Sequence, residues 1–148
     1  MQNPKYDTLT VSPDARNYTF ISAGPRGDFE IEVQFTAIGN TNFYNLGFGV
    51  LNQCGEIDDT IVLNNNDRDK ILATVAGFVK IFLESYLNAA VLFSGSTLAR
   101  TRLYRRAISL KYEKLQEDFN IFGVISYDNG RYEVFDPAGQ YEAFLVIK

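Results

Sequence analysis

Four arginines gather at the start of a predicted helix, directly after a short Gly-Ser-Thr segment. Positive charge near a helix N-terminus opposes the helix macrodipole, which favours anions at that end. We therefore expect a negative group to offset the charge: a ligand phosphate, a nucleic-acid backbone or carboxylates of the chain itself. The residues concerned are Arg100, Arg102, Arg105 and Arg106, preceded by Gly95, Ser96 and Thr97.

The Gly95-Ser96-Thr97 segment could form an anion site from backbone amides and two hydroxyls. Thr97 also suits the N-cap of an ordinary helix, which needs no ligand. The spacing of a P-loop is missing from this segment, so no specific nucleotide motif is present. Arg26, at the tip of the predicted turn 24–27, could reach the same anion. The anion site and the plain helix cap both stay open as interpretations.

Helical periodicity separates the arginines into two kinds. Arg100 projects from the apolar arc of the helix, where an unpaired guanidinium would be very costly. Its expected partner is Asp58 or Asp59, two adjacent carboxylates in an otherwise apolar predicted strand, and a ligand anion is the alternative. The other three arginines are predicted to face solvent: Arg102, Arg105 and Arg106. The predicted buried arc comprises Leu103, Tyr104, Ala107, Ile108, Leu110 and Leu115.

Composition removes most catalytic and metal-binding chemistry. The chain contains no histidine, which excludes a Ser-His-Asp triad, histidine metal sites and histidine general bases. Its single cysteine, Cys54, excludes an intrachain disulfide and a thiolate zinc site. We therefore predict no catalytic residue, no metal and no cofactor, and favour a non-enzymatic role.

Hydrophobic periodicity predicts an α+β fold in one domain, residues 1–148, with a mainly antiparallel sheet packed by two amphipathic helices. Strict alternation over 28–38 is typical of a strand with one buried face. An Asn-Gly pair at 129–130 predicts a hairpin. The expected order is ββββαβαβββ. Strands are predicted at 17–22, 28–38, 43–51, 57–63, 90–93, 121–127, 132–135 and 141–147, and helices at 68–86 and 97–118.

Charge and hydropathy limit the setting of the protein. The net charge of -4 disfavours broad nucleic-acid binding, while a local basic patch remains compatible with it. No signal peptide and no membrane-spanning segment is visible, so we expect a cytoplasmic protein. Association into a homo-oligomer stays open.

Five segments together resemble a small bacterial family of proteins of unknown function, and the resemblance spans nearly the whole chain. That family carries no established activity, so the resemblance implies that these segments belong together and nothing about a reaction. The segments are Gly24 to Gly27, Tyr44 to Gly49, Ile57 to Asp59, Leu72 to Val75 and Gly95 to Arg105.

Two functions are compatible with these observations. The first is a binding module that recognises a partner protein or an anionic ligand through the arginine-rich helix start. By analogy with other small bacterial chains, its context would be defence or toxin–antitoxin systems. The second is a protein or enzyme that takes a nucleotide or phosphorylated small molecule at the Gly-Ser-Thr segment, with Arg100 and Arg26 neutralising charge.

Overall fold

The computed structural model describes residues 5–51, 53–58 and 67–148. Within these ranges the chain forms two helices and a nine-stranded sheet, which confirms the predicted α+β class. The elements are β1 (Thr10–Val11), β2 (Asn17–Gly24), β3 (Gly27–Ala37), β4 (Phe43–Leu51), β5 (Ile57–Asp58), α1 (Arg68–Ser85), β6 (Ala90–Phe93), α2 (Leu98–Leu115), β7 (Asn120–Ser126), β8 (Arg131–Val134) and β9 (Ala143–Ile147).

The sheet is mostly antiparallel, with the strand order β1-β2-β3-β4-β6-β9-β7-β8 and β5 paired to β4. β4 and β6 run parallel and are joined through α1, because a parallel pair needs a crossover. The C-terminal strand β9 lies antiparallel between β6 and β7. α2 links β6 to β7 and crosses over β9.

Both helices cover the same face of the sheet. α1 packs on β2 and β3, where Phe78 stacks on Tyr18 and Phe82 stacks on Phe35. α2 packs further along the sheet, where Tyr104 contacts Phe48 and Phe93 with ring centroids 5.6 and 6.0 Å apart. The alternation predicted for β3 is confirmed, since its buried side chains all point to this face.

Several predicted boundaries differ from the structure. β1 was not predicted, because two exposed residues carry no periodicity. The last strand begins at Ala143, since Tyr141 belongs to the preceding loop and packs its ring against Gly123 and Gly139. The predicted strand 57–63 is observed over Ile57–Asp58, and its remainder lies outside the described residues.

Burial of Tyr18 predicts a loss of stability at alkaline pH. The Tyr18 hydroxyl donates to the Ala15 carbonyl at 2.8 Å, and burial raises the pKa of this phenol from 10.0 to about 12. The unfolded chain therefore ionises first, so the stabilisation is complete below pH 10 and is lost as pH rises towards about 12.

Urea unfolding across this pH range should show the decline, and Tyr18→Phe should flatten it. The variant should also lose about 1 kcal/mol at neutral pH with the hydrogen bond. Tyr132→Phe, at a phenol that is 61% exposed, is the matched control. An equal alkaline decline in the wild type and in Tyr18→Phe would contradict the assignment.

Candidate functional site

The predicted N-cap at Thr97 is confirmed. Its hydroxyl accepts a hydrogen bond from the Arg100 amide at 3.2 Å, and its carbonyl accepts from the Thr101 amide at 3.0 Å. A side-chain oxygen at this position satisfies one of the amides that a helix start leaves without an intrahelical partner. The Thr97 hydroxyl, considered above for an anion, therefore bonds within the helix.

Gly95 allows a close approach between the β6–α2 connection and the helix. A Cβ at this position would lie 2.5 Å from the Arg100 Cβ and 2.6 Å from the Thr101 nitrogen. The Gly95 amide donates to the Thr101 hydroxyl at 3.0 Å. Thr101 is buried, 4% exposed, so the bond is shielded from water. These contacts give Gly95 a packing role.

Arg100 is half-buried, and its side chain turns back along the helix start. One guanidinium nitrogen, Nη1, donates to the Ser96 hydroxyl. The expected partner of Arg100 is one of the carboxylates at positions 58 and 59. Asp58 is exposed on β5, so it is not a carboxylate that points into the protein. Asp59 lies outside the described residues, and an ion pair with Arg100 stays a prediction.

The predicted exposure of Arg105 is wrong. Arg105 is half-buried, and its Nη1 donates to the carbonyls of Pro137 and Gly139 at 3.2 and 3.0 Å. The cause is the loop 135–142, which folds back along one side of α2, where Tyr112 also contacts Phe135. Arg102 and Arg106 are exposed, as predicted. The arginine cluster therefore does not form one continuous surface.

Arg26 lies on the turn between β2 and β3, far from the helix start. Strand register places Leu92 level with Asn45, which pairs with Thr36. At about 3.3 Å per residue, the turn at Gly27 lies roughly 30 Å from Thr36 along β3. Gly95 lies beyond Leu92 in the direction of this turn, which shortens the distance along the strands by at most about 10 Å. The expectation that Arg26 reaches an anion at Gly95 is therefore wrong.

A cavity of about 330 Å³ opens between α1 and α2 above the sheet, and we call it the helix cleft. This volume lies at the lower end of the range of small-molecule sites, roughly 300–1,000 Å³. The floor of the cleft consists of Leu46, Phe48, Phe93, Ile121 and Val146. The α1 wall consists of Asp69, Leu72, Ala73, Val75, Ala76, Gly77, Val79 and Lys80. The α2 wall consists of Tyr104, Ala107, Ile108, Leu110, Lys111, Lys114 and Leu115, and the lining also includes Lys5, Asp118 and Phe119.

Small side chains and shallow packing of α2 explain the cleft. Ala73, Ala76 and Gly77 on α1 face Ala107 on α2, and these residues fill little of the space between the helices. α2 buries three of its 18 residues, whereas α1 buries seven of 18. The prediction that Leu110 is buried is wrong: it is 80% exposed and lines the cleft.

Charged side chains surround this apolar interior. Four lysines and two aspartates line the cleft: Lys5, Lys80, Lys111, Lys114, Asp69 and Asp118. Lys80 on α1 forms an ion pair with Asp118, just beyond α2, with an N–O distance of 3.2 Å. The ion pair joins the two helices across one end of the cleft. The cleft therefore combines apolar walls with a rim of charged side chains.

A polar network holds the N-terminal segment, and with it Lys5, beside the cleft. The Tyr6 amide donates to the Thr74 hydroxyl at 2.8 Å, and the Tyr6 hydroxyl donates to the Asp67 carboxylate. Ser22 donates to the same carboxylate oxygen at 2.6 Å. Burial, followed by the hydrogen bond to Asp67, raises the pKa of Tyr6. Asp67 thus ties β2 and the N-terminal segment to the start of α1.

Sequence reasoning missed the helix cleft. The apolar stripe on each helix predicts burial in the core, and periodicity does not state how closely two stripes pack. The available signal was the set of small residues at 73, 76, 77 and 107, together with the lysines at 111 and 114 beside the stripe of α2.

Among the described residues, no helix has the length and apolar character needed to cross a membrane.

The comparisons with known proteins agree with the resemblance found in the sequence. Neither the search of curated proteins nor the search of solved structures finds a significant match. A family model matches residues 2–148, which include both helices, every strand of the sheet and the walls of the cleft. The chain therefore belongs to DUF6934, a family of unknown function.

Proposed function

We propose that the protein is a binding module that holds a small, mainly apolar ligand in the helix cleft. The observation that carries the proposal is a 330 Å³ cavity with apolar walls between two helices. Clefts with mainly apolar walls, including those between helices, are a usual location of small-molecule sites. An apolar ligand regains the dispersion contacts that the cavity walls lack.

The anion site at the helix start has less support. The Gly95 amide and the Thr97 hydroxyl form hydrogen bonds within the chain, and Arg105 binds loop carbonyls. Recognition of a partner protein through the exposed Arg102 and Arg106 stays a prediction, as does a nucleotide or phosphorylated ligand.

We keep the cytoplasm as the expected compartment, because an exposed cysteine thiol, Cys54, suits a reducing environment.

Filling the cleft should weaken binding of an uncharged fluorescent probe. Nile red titrated into the wild type should show enhanced, blue-shifted emission. Ala107→Phe places a ring between the helices and should weaken binding about tenfold or more, since a displaced ligand loses most of its buried contacts. Ala99→Phe, at an exposed alanine in the first turn of α2, is the matched control and should bind like the wild type.

Thermal melts of both variants should show a cooperative transition, which separates occlusion of the cleft from unfolding. Equal Nile red affinity in the wild type and in Ala107→Phe would show that the probe binds elsewhere. Absence of binding to the wild type would count against the cleft as a site for apolar ligands.

A further inference from the structure

We propose that the protein forms a dimer in which the edge strand β8 pairs antiparallel with β8 of a second copy. The proposal goes beyond the helix cleft and does not depend on it, because β8 contributes no residue to the lining of the cleft. Three observations support it: the open edge of β8, the order of the charges along this strand and the apolar side chains beside it.

β8 lies at one edge of the sheet, and all four of its residues are exposed. The loop that follows β8 turns over the sheet towards α2, where Arg105 binds its carbonyls, and does not run along the edge. The strand at the opposite edge, β1, has only two residues. An open edge strand offers unpaired amides and carbonyls to a strand of another molecule.

The pairing of β8 with β7 decides which backbone groups face the open edge. The Phe135 amide donates to the Ile121 carbonyl at 3.0 Å and continues the register of the two strands, so these residues form a hydrogen-bonded pair. In an antiparallel ladder such pairs alternate with pairs whose amides and carbonyls point away from each other. Tyr132 and Val134 belong to the second kind. Their amides and carbonyls therefore point towards the open edge.

The charges of β8 select a second copy and one register. With Tyr132 opposite the partner's Tyr132, these two residues exchange backbone hydrogen bonds, and Arg131 lies opposite the partner's Glu133. Facing side chains are closest at such a non-hydrogen-bonded pair, and the two-fold axis repeats the contact. A shift of two residues in either direction places two copies of Arg131 or two copies of Glu133 opposite each other, which is repulsive. Of these three registers, only the one centred on Tyr132 pairs opposite charges.

Arg131 and Glu133 are able to make these contacts. Both side chains are exposed, and no ion pair joins Arg131 to another described residue. Burial and, to a smaller extent, the Glu133 carboxylate raise the pKa of Tyr141, so this carboxylate lies near the Tyr141 hydroxyl of its own chain. The two oxygens of a carboxylate offer about four acceptor positions, and Glu133 can therefore accept from this hydroxyl and from a guanidinium together.

The pairing also covers apolar side chains at the same edge. Tyr132 and Val134 are 61% and 65% exposed on the face of the sheet away from the helices, and Phe122 contacts the Tyr132 ring edge-on. In the dimer the Tyr132 ring meets the partner's Tyr132 directly and the partner's Val134 diagonally. Two four-residue strands give an interface below roughly 1,200 Å², the size at which complexes are weak. We therefore expect a reversible dimer that dissociates on dilution.

Sedimentation velocity over a dilution series tests the proposal. Arg131→Glu and Glu133→Arg each place like charges opposite one another at two positions, and each should weaken self-association about tenfold or more. An equimolar mixture of the two variants should form a dimer about as stable as that of the wild type, because each variant then meets the opposite charges. Glu30→Arg, at an exposed glutamate on β3, is the matched control and should associate like the wild type.

Val134→Pro tests the backbone contact. Proline removes an amide that points to the open edge, so the ladder with β7 keeps its hydrogen bonds while pairing with a second copy is blocked. The variant should be monomeric at every concentration and should melt cooperatively. If the proline disturbs the strand and lowers the melting temperature, the charge variants, which keep the backbone, decide the question.

Four results would overturn the proposal. A wild type that stays monomeric at every concentration is the first, and it would leave the edge to an extended segment of another protein. The second is a mixture of Arg131→Glu and Glu133→Arg that stays monomeric. The third is a loss of association in Glu30→Arg equal to that in the charge variants of β8. The fourth is a cooperatively folded Val134→Pro that associates like the wild type.

Discussion

Replacement of Phe82 by alanine is expected to lower the free energy of unfolding by about 4 kcal/mol. Phe82 on α1 is fully buried and contacts three other rings. It stacks on Phe35 at a centroid distance of 4.2 Å and on Tyr86 at 4.7 Å, and it meets Tyr44 edge-on at 5.0 Å. Truncation removes the buried area, the ring contacts and the filling of the space between α1 and the sheet.

Urea or thermal unfolding measures this loss, and Ile81→Ala supplies the control from the next position on the helix. Ile81 is 46% exposed, so its truncation should cost less than about 1 kcal/mol. Phe82 does not line the helix cleft, and Nile red should still bind the folded fraction of the variant. A cost below about 1.5 kcal/mol for Phe82→Ala would show that α1 is not anchored through this cluster.

Replacement of Arg105 by alanine is expected to cost about 2 kcal/mol, since hydrogen bonds to charged groups contribute roughly 1.5–3 kcal/mol. Arg105 is the contact through which α2 holds the carbonyls of Pro137 and Gly139. Its Nε atom is buried, with no hydrogen-bond partner among the described residues. Loss of the guanidinium would leave the Pro137 and Gly139 carbonyls without their donor on α2 and loosen this part of the loop, while the ring contact between Tyr112 and Phe135 remains.

Thermal melts should place Arg105→Ala well below Arg106→Ala, which changes an exposed side chain and should stay within about 0.5 kcal/mol of the wild type. Arg105→Lys should fall between them, because an ammonium lacks the fork that spans two carbonyls. Hydrogen exchange should become faster for the Gly139 amide, which bonds to the Asp136 carbonyl. Identical melts for the Arg105 and Arg106 variants would show that the loop contact contributes nothing to stability.

The sequence by itself determined the local structure of this protein. Alternation along β3, the apolar stripe of α1, the cap at Thr97 and the turn at Asn129-Gly130 are each set by residues close together in the chain. Periodicity and backbone preference act over that range, so the α+β class and most element positions followed from the sequence. The solvent exposure of Arg102 and Arg106 followed in the same way.

The tertiary structure decided everything that depends on how distant elements meet. Arg105 looked exposed on a helical wheel, because a wheel does not include the loop 135–142 that covers one side of α2. Arg26 and Gly95 looked compatible with one anion until the strand register separated them. The helix cleft arises because α1 and α2 lie over different strands, with small residues between them. Helical periodicity locates an apolar stripe, whereas the distance between two stripes depends on the sheet beneath them and on the side-chain volumes that meet there.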